Sequence, residues 1–208
     1  MPNSSSMPDS FFRAACYFES ALTLVAIVLG WLLNVDPFTD LTFNEQSLAN
    51  GLLLTLPLVL LFFAMQQLPY APLQHIRTLL LETLGARLHR CHWTDLLILA
   101  AIAGFSEEAL FRGVLQPWLE NITSLTAGLI LSNVVFALVH AVTPLYAALA
   151  MLMGLYLGMS LDYGGERNLL TPIVIHALYD FIAFTVILRD YRNHLSRNRH
   201  AHTDSTNQ

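Results

Sequence analysis

Glu107, Glu108 and Arg112 stand in one apolar stretch of the chain, Asn133, Phe136 and His140 in a second, and His176 and Asp180 in a third. Residues four apart on an α-helix share a face, so Glu108 faces Arg112, Phe136 faces His140 and His176 faces Asp180. Asn133, seven residues before His140, joins the second face. Glu108 lies N-terminal to Arg112, the favoured order for a neutralising pair. Glu107 is turned by about 100° from Glu108 and has no partner on its own helix, because one Arg balances one carboxylate. The plainer alternatives are a structural charge cluster from Glu107 to Arg112 and a His–Asp hydrogen bond that only ties the third stretch down. Together, however, the residues offer a base, two imidazoles and an orienting carboxylate. A carboxylate activates water, and an imidazole holds that water or donates to a developing oxyanion. This is a hydrolytic set. Ser106 and Ser132 lie in the same stretches, but no His on their own helices is placed to make either a nucleophile.

The elements that must position these groups are membrane helices. Hydrophobic residues make up 55% of the 208 and charged residues 12%, about half the charged share of an ordinary soluble domain, and the mean hydropathy is +0.53. A spanning helix needs about 20 mostly apolar residues. Such runs cover 14–33 (with Glu19 near its start), 48–65 (with Pro57 as a kink), 93–120, 123–141, 144–162 and 168–188. The pattern over 72–90 differs: Leu73, Ile76, Leu80, Leu84 and Leu88 recur at three- and four-residue steps, with Arg77, Glu82 and Arg87 between them. That amphipathic period suits either a helix lying in the membrane interface or a linker helix beside it. The expected fold is therefore all-α: a polytopic transmembrane helix bundle of about six spans plus an interfacial amphipathic helix. It divides into an N-terminal two-span region (1–92), a four-span core (93–188) and a polar tail (189–208).

Charge placement sets the expected orientation. The chain has no Lys, and its Arg residues cluster after the second span (Arg77, Arg87, Arg90) and after the sixth (Arg189, Arg192, Arg197, Arg199). The loops after spans one and three carry no Arg, and that after span five carries Arg167. By the positive-inside rule both termini are cytoplasmic. The net charge of −5 and the absence of a basic face with interleaved aromatics set nucleic-acid binding aside. Cys16 and Cys91 are too few for a disulfide framework and lack metal-site spacing, and His200 and His202 in the tail read as solvated.

Counting about 1.5 Å per residue from the outer ends, Glu107 lies roughly 20 Å in, Asp180 about 18 Å, His140 near 25 Å and His176 near 12 Å. Helix tilt and Pro172 would have to bring the two histidines together.

At these positions the sequence resembles the CAAX-protease and bacteriocin-processing family. Glu107-Glu108-Ala109-Leu110-Phe111-Arg112 matches its EExxxR motif, Phe136-Ala137-Leu138-Val139-His140 its FxxxH motif, and His176-Ala177-Leu178-Tyr179-Asp180 its HxxxN or HxxxD motif. Order and spacing agree, over about 93–188. The resemblance implies an endopeptidase with its site inside the bilayer. Glu107 would deprotonate the attacking water, His140 would hold it, and His176 with Asp180 would stabilise the oxyanion. Glu108 and Arg112 would brace the site, with Phe136 and Asn133 in support. Where the last position is Asn, its amide donates; an ionised Asp only accepts, so Asp180 is expected to orient His176 or to be protonated by burial.

The resemblance admits both a metal-free glutamate protease and a metalloprotease. No cofactor is the favoured expectation; with Zn²⁺ the ligands would be Glu107, His140 and His176. The expected partners are the lipid bilayer and a peptide or membrane-protein substrate, and the expected location is a bacterial inner membrane. Two other functions stay open: a non-catalytic peptide-binding or immunity protein of the same family, and a proton-coupled transporter, since buried carboxylates and histidines also form relays.

Overall fold

A computed structural model describes the backbone of residues 7–206 and the side chains of residues 10–197; His200 and His202 fall outside those side chains. All regular structure among the described residues is helical. Helix α1 (Met7–Leu33) and helix α2 (Glu45–Gln67) are long and apolar. Asn44 caps α2 by accepting from the Ser47 amide at 2.7 Å, and the helix runs through Pro57. Helix α3 (Ala71–Leu80) passes through a π-helical turn (Leu81–Gly85) into a last α-turn (Ala86–Leu88), and this is the amphipathic segment. Helix α4 (Trp93–Leu110) starts with a reciprocal cap: His92 accepts from the Thr94 amide, while the His92 amide donates to Asp95 at 2.8 Å. A second π-helical turn (Phe111–Leu115) carries it into α5 (Gln116–Ile122). Helix α6 (Leu125–Val139) is capped by Ser124, and α7 (Pro144–Ser160) by Thr143 with proline in its first turn. Helix α8 runs over Leu170–Thr206.

Three of these helices are long and apolar enough to cross a bilayer, over Ser10–Leu33, Glu45–Gln67 and Leu170–Arg197. Large apolar side chains on α1 and α2 point outward, with Trp31 78% and Leu60 69% exposed. In water such faces would associate; in a bilayer they meet lipid. The chain is an integral membrane protein.

Two features add to the sequence reading. The expected polar tail is a continuation of α8, which does not stop at Leu188 but runs on to Thr206. Helices α6 and α7 have 15 and 17 residues, about 22 and 26 Å at 1.5 Å per residue, against a hydrocarbon core of about 30 Å. They form a hairpin of two shorter apolar helices, and its turn, 140–143, carries His140.

Helix α4 packs between α1 and α8, and α8 packs also on α2. At one end of the bundle Phe11, Phe12, Leu88, Leu96, Leu99 and Leu188 share a cluster, which puts the start of α1, the start of α4 and the distal half of α8 on the same side. The Arg77–Asp190 ion pair, at 2.6 Å, ties α3 to α8 there. At the opposite end the loops 34–44 and 161–169 meet: the Leu169 amide donates to Asp40 O at 2.8 Å, and Asn168 donates to Thr42 O. Arg167 clamps this end by donating to Asp162 at 2.9 Å and to Glu120 at 2.8 Å. Those two carboxylates, Asp162 first, hold its guanidinium above the ordinary range.

Candidate active site

Close helix approach places the two central elements. A Cβ on Gly104 would lie 2.8 Å from the backbone N of Ala177, so α4 and α8 touch backbone to backbone one turn from Glu107 and beside His176. Helix α4 then turns Glu107 and Glu108 toward different neighbours.

Glu108 is fully buried and Arg112 is 1% exposed. The Arg112 Nη1 donates to Glu108 Oε1 at 3.0 Å, and Nη2 donates to Asn133 Oδ1 at 2.8 Å and to the Gly154 carbonyl at 2.7 Å. Its guanidinium also lies 4.8 Å from the Phe136 ring centre, a cation–π distance. Gly154 is required here because a Cβ would strike Asn133 Oδ1. Asn133 is fixed in turn by donating to Leu129 O at 2.8 Å. The buried charge is thus paired and hydrogen-bonded, the condition under which burial is tolerated.

The same Glu108 Oε1 accepts from His176 Nδ1 at 2.8 Å. His140 Nδ1 lies 2.8 Å from the Phe136 carbonyl, an acceptor, so it is the protonated nitrogen of that ring. Phe136 stacks on the His140 ring at 4.3 Å and stands edge-on to His176 at 6.3 Å. Both histidines are therefore held by Nδ1, and both turn Nε2 toward Glu107. The Oε2 of Glu107 lies 3.6 Å from His140 Nε2 and 4.0 Å from His176 Nε2. That oxygen is buried and has no hydrogen-bond partner among the described residues. Asp180 Oδ2 stands 3.6 Å from His176 Nε2. The nearer carboxylate on His176 is therefore Glu108, and Asp180 stands on the other side of the ring. His140 is 28% exposed at its side chain and Asp180 22%, so the site opens on their side.

All four residues of the expected hydrolytic set, and all four expected in support, meet in one place. The groups that the residue count spread over different depths lie side by side, with both histidine Nε2 atoms within 4.0 Å of Glu107 Oε2. Phe38 of loop 34–44 stacks on Phe105 at 5.9 Å, and Leu161 and Leu169 pack in a cluster with Phe105 and Leu41. The outer loops therefore pack against the bundle beside the start of α8. Ser106 and Ser132 donate to carbonyls of their own helices, at 2.8 and 3.0 Å. Two groups to which the sequence reading gave no role also border the site. Glu19 of α1 interacts electrostatically with Glu107, Asp180 and His176, and its Oε2 is buried with no hydrogen-bond partner among the described residues. Tyr146 of α7 interacts likewise with Asp180 and Glu107. An acid within an apolar span was a signal for Glu19; Tyr146 had none.

A metal site needs several ligands converging at about 2.0–2.3 Å. Among the described residues, no group of three or more His, Cys, Asp or Glu side chains has that arrangement.

The family model described as Rce1-like, type II CAAX prenyl endopeptidase Rce1-like, matches residues 89–182. That segment is Rce1-like. It contains all eight residues of the expected set and its support, though not Glu19, and it bears out the family resemblance carried by the three motifs. At family level the Rce1-like match supports a CAAX-type intramembrane protease. Neither the curated proteins nor the solved structures gave a match to the chain.

Proposed function

We propose that this chain is an intramembrane endopeptidase in which Glu107 activates water against a peptide bond of a membrane-associated or C-terminally modified peptide. One observation carries the reading. A buried carboxylate oxygen without a hydrogen-bond partner is faced by two imidazole Nε2 atoms, each ring already committed through Nδ1.

A water between Glu107 and His140 gives one proton to Glu107 and is held by His140 Nε2. Its oxygen adds to the scissile carbonyl carbon, and the carbonyl electron pair moves to oxygen. His176, fixed by Glu108 and flanked by Asp180, faces that oxyanion. The intermediate collapses with cleavage of the C–N bond, and the proton on Glu107 passes to the leaving nitrogen. Every step uses side chains of this chain, so the reading needs no metal. The Arg clusters next to the end shared by the start of α1 and the distal half of α8 support a cytoplasmic side for both termini, and a bacterial inner membrane is the location that goes with this reading.

The test is cleavage of a membrane-peptide library by the purified protein, beside Glu107→Gln and beside a chelator-treated sample. Cleavage that survives chelation and vanishes in Glu107→Gln is the expected result. Cleavage surviving Glu107→Gln overturns the mechanism. Loss on chelation with recovery on adding Zn²⁺ overturns its metal-free form.

A further inference from the structure

The hydrolytic steps above leave Glu19 without a part. Helix α1 turns one stripe inward, through Cys16, Glu19, Thr23, Ala26 and Gly30 at three- and four-residue steps, while Tyr17, Phe18, Leu24 and Val28 are exposed. Cys16 packs in the cluster that holds Leu96 and Leu99 of α4, and Ala26 in the one that holds Ala109 and Val114. A Cβ on Gly30 would lie 3.5 Å from Val114 Cγ2. The two helices therefore run parallel and in step. Glu19, eleven residues before Gly30, stands level with Ala103, eleven before Val114. That is one turn, about 6 Å, from Glu107. Helix α8 runs the other way: Ala177 meets Gly104, and Phe181 and Phe184 pack in the cluster of Cys16. Asp180 lies between those contacts and shares the level of Glu19. Ala100, Ala103 and Gly104, the buried residues of α4 at this level, are all small. The electrostatic interaction of Glu19 with Glu107, Asp180 and His176 agrees with the placement.

Glu19 Oε2 and Glu107 Oε2 are both buried with no hydrogen-bond partner among the described residues. A buried carboxylate is tolerated when it is paired or hydrogen-bonded. Two neighbouring acceptors without a donor are satisfied by water, which brings two.

We propose that Glu19 is a positioning residue of the active site, holding one end of a buried water whose other end holds the Glu107 carboxylate. The proposal rests on the hydrolytic reading above, and it adds a residue from outside the matched segment 89–182. A water that donates one hydrogen to each carboxylate spans an oxygen–oxygen gap of about 4.5 Å, within reach of two glutamates one turn apart in level. A carboxylate oxygen has two lone pairs, so Glu107 Oε2 accepts from this water and from the attacking one. No proton passes through the buried water. Glu107 still takes the proton of the attacking water and gives it to the leaving nitrogen. The buried water keeps that carboxylate from rotating away from His140 and His176.

The experiment measures kcat, KM and the thermal midpoint of the full chain in detergent, with a fluorogenic membrane peptide. The variants are Glu19→Leu, Glu19→Gln and Cys16→Ala, with Glu107→Gln as the check on the underlying reaction. Misplacing a reacting group by about 1 Å costs on the order of 100-fold. Glu19→Leu is therefore expected to lose at least about tenfold in kcat with KM within about twofold. Its thermal midpoint is expected to hold or rise, because an apolar side chain replaces a buried carboxylate that has no direct partner. Glu19→Gln, whose amide oxygen still accepts from water, is expected to stay within about threefold of wild type. Cys16→Ala, one turn away on the same stripe, keeps its kcat. A residue that only packed α1 on α4 would show neither the kcat loss at an undiminished midpoint nor the rescue by Gln. With wild type active and Glu107→Gln dead, three results overturn the role of Glu19 and leave the protease reading intact. They are full kcat in Glu19→Leu, a Glu19→Leu variant that melts below wild type or fails to accumulate, and Glu19→Gln as slow as Glu19→Leu. Activity that persists in Glu107→Gln, or a wild type that cleaves nothing, overturns the reading itself and this role with it.

Discussion

At the scale of single residues, Arg112 does the most. Its two terminal nitrogens reach Glu108, Asn133 and the Gly154 carbonyl at once. Arg112→Met would leave the Glu108 carboxylate buried without its charge partner, which costs about 3–5 kcal/mol. A matching fall in thermal stability in detergent, with activity lost, is the expected outcome. Arg112→Lys is not a mild change, because an ammonium cannot present a planar fork to three acceptors; activity is expected to fall at least tenfold even where the protein still accumulates in the membrane. These roles were partly legible in the sequence. The i,i+4 spacing gave the Glu108–Arg112 pair, and the intramembrane histidines gave the imidazoles. That Glu108 would serve Arg112 and His176 with one oxygen was not legible, since it depends on how α4 meets α8. Glu19 belongs to the same lesson: its place in α1 was visible, but not that Glu107, His176 and Asp180 of other helices would act on it.

At the scale of elements, the hairpin and the outer loops decide the geometry. Apolar run length located the spans and periodicity the amphipathic segment, and composition identified the runs as membrane helices. Neither reveals height. The count from loop ends assumed that all loops lie in one plane, whereas Phe38 stacks on Phe105 and Leu169 pairs with Asp40. The two π-helical turns are equally invisible, because a single extra residue per turn leaves the apolar pattern almost unchanged. Gly113, in the second of them, permits the approach of the 34–44 loop, since a Cβ there would collide with the Pro37 carbonyl. Gly104 tests the α4–α8 contact most directly. Gly104→Ala forces apart the helices carrying Glu107 and His176, and overpacking of this kind costs about 1–3 kcal/mol. The expected signature is a kcat loss larger than the change in KM, measured beside a thermal melt.

At the scale of the whole molecule, the shared cluster of Phe11, Leu96 and Leu188 puts the start of α1, the start of α4 and the distal half of α8 at one end, with Asp162 and Arg167 at the other. In a background lacking Cys16 and Cys91, cysteines placed at Ser10 and Arg197 should label from the same side of sealed vesicles, and one at Glu166 from the opposite side. Labelling of residues 10 and 197 from different sides would refute the parallel arrangement of the ends. The guanidinium of Arg112 has a consequence on this scale too. It bonds α4, α6 and α7 together, and through Glu108 it holds His176 of α8. No helix of that quartet can drift without breaking a charge-assisted bond in hydrocarbon. Inactivation should therefore be cooperative: the curve of residual activity on heating should overlay that of helix loss, with no temperature at which the bundle stands and the site does not.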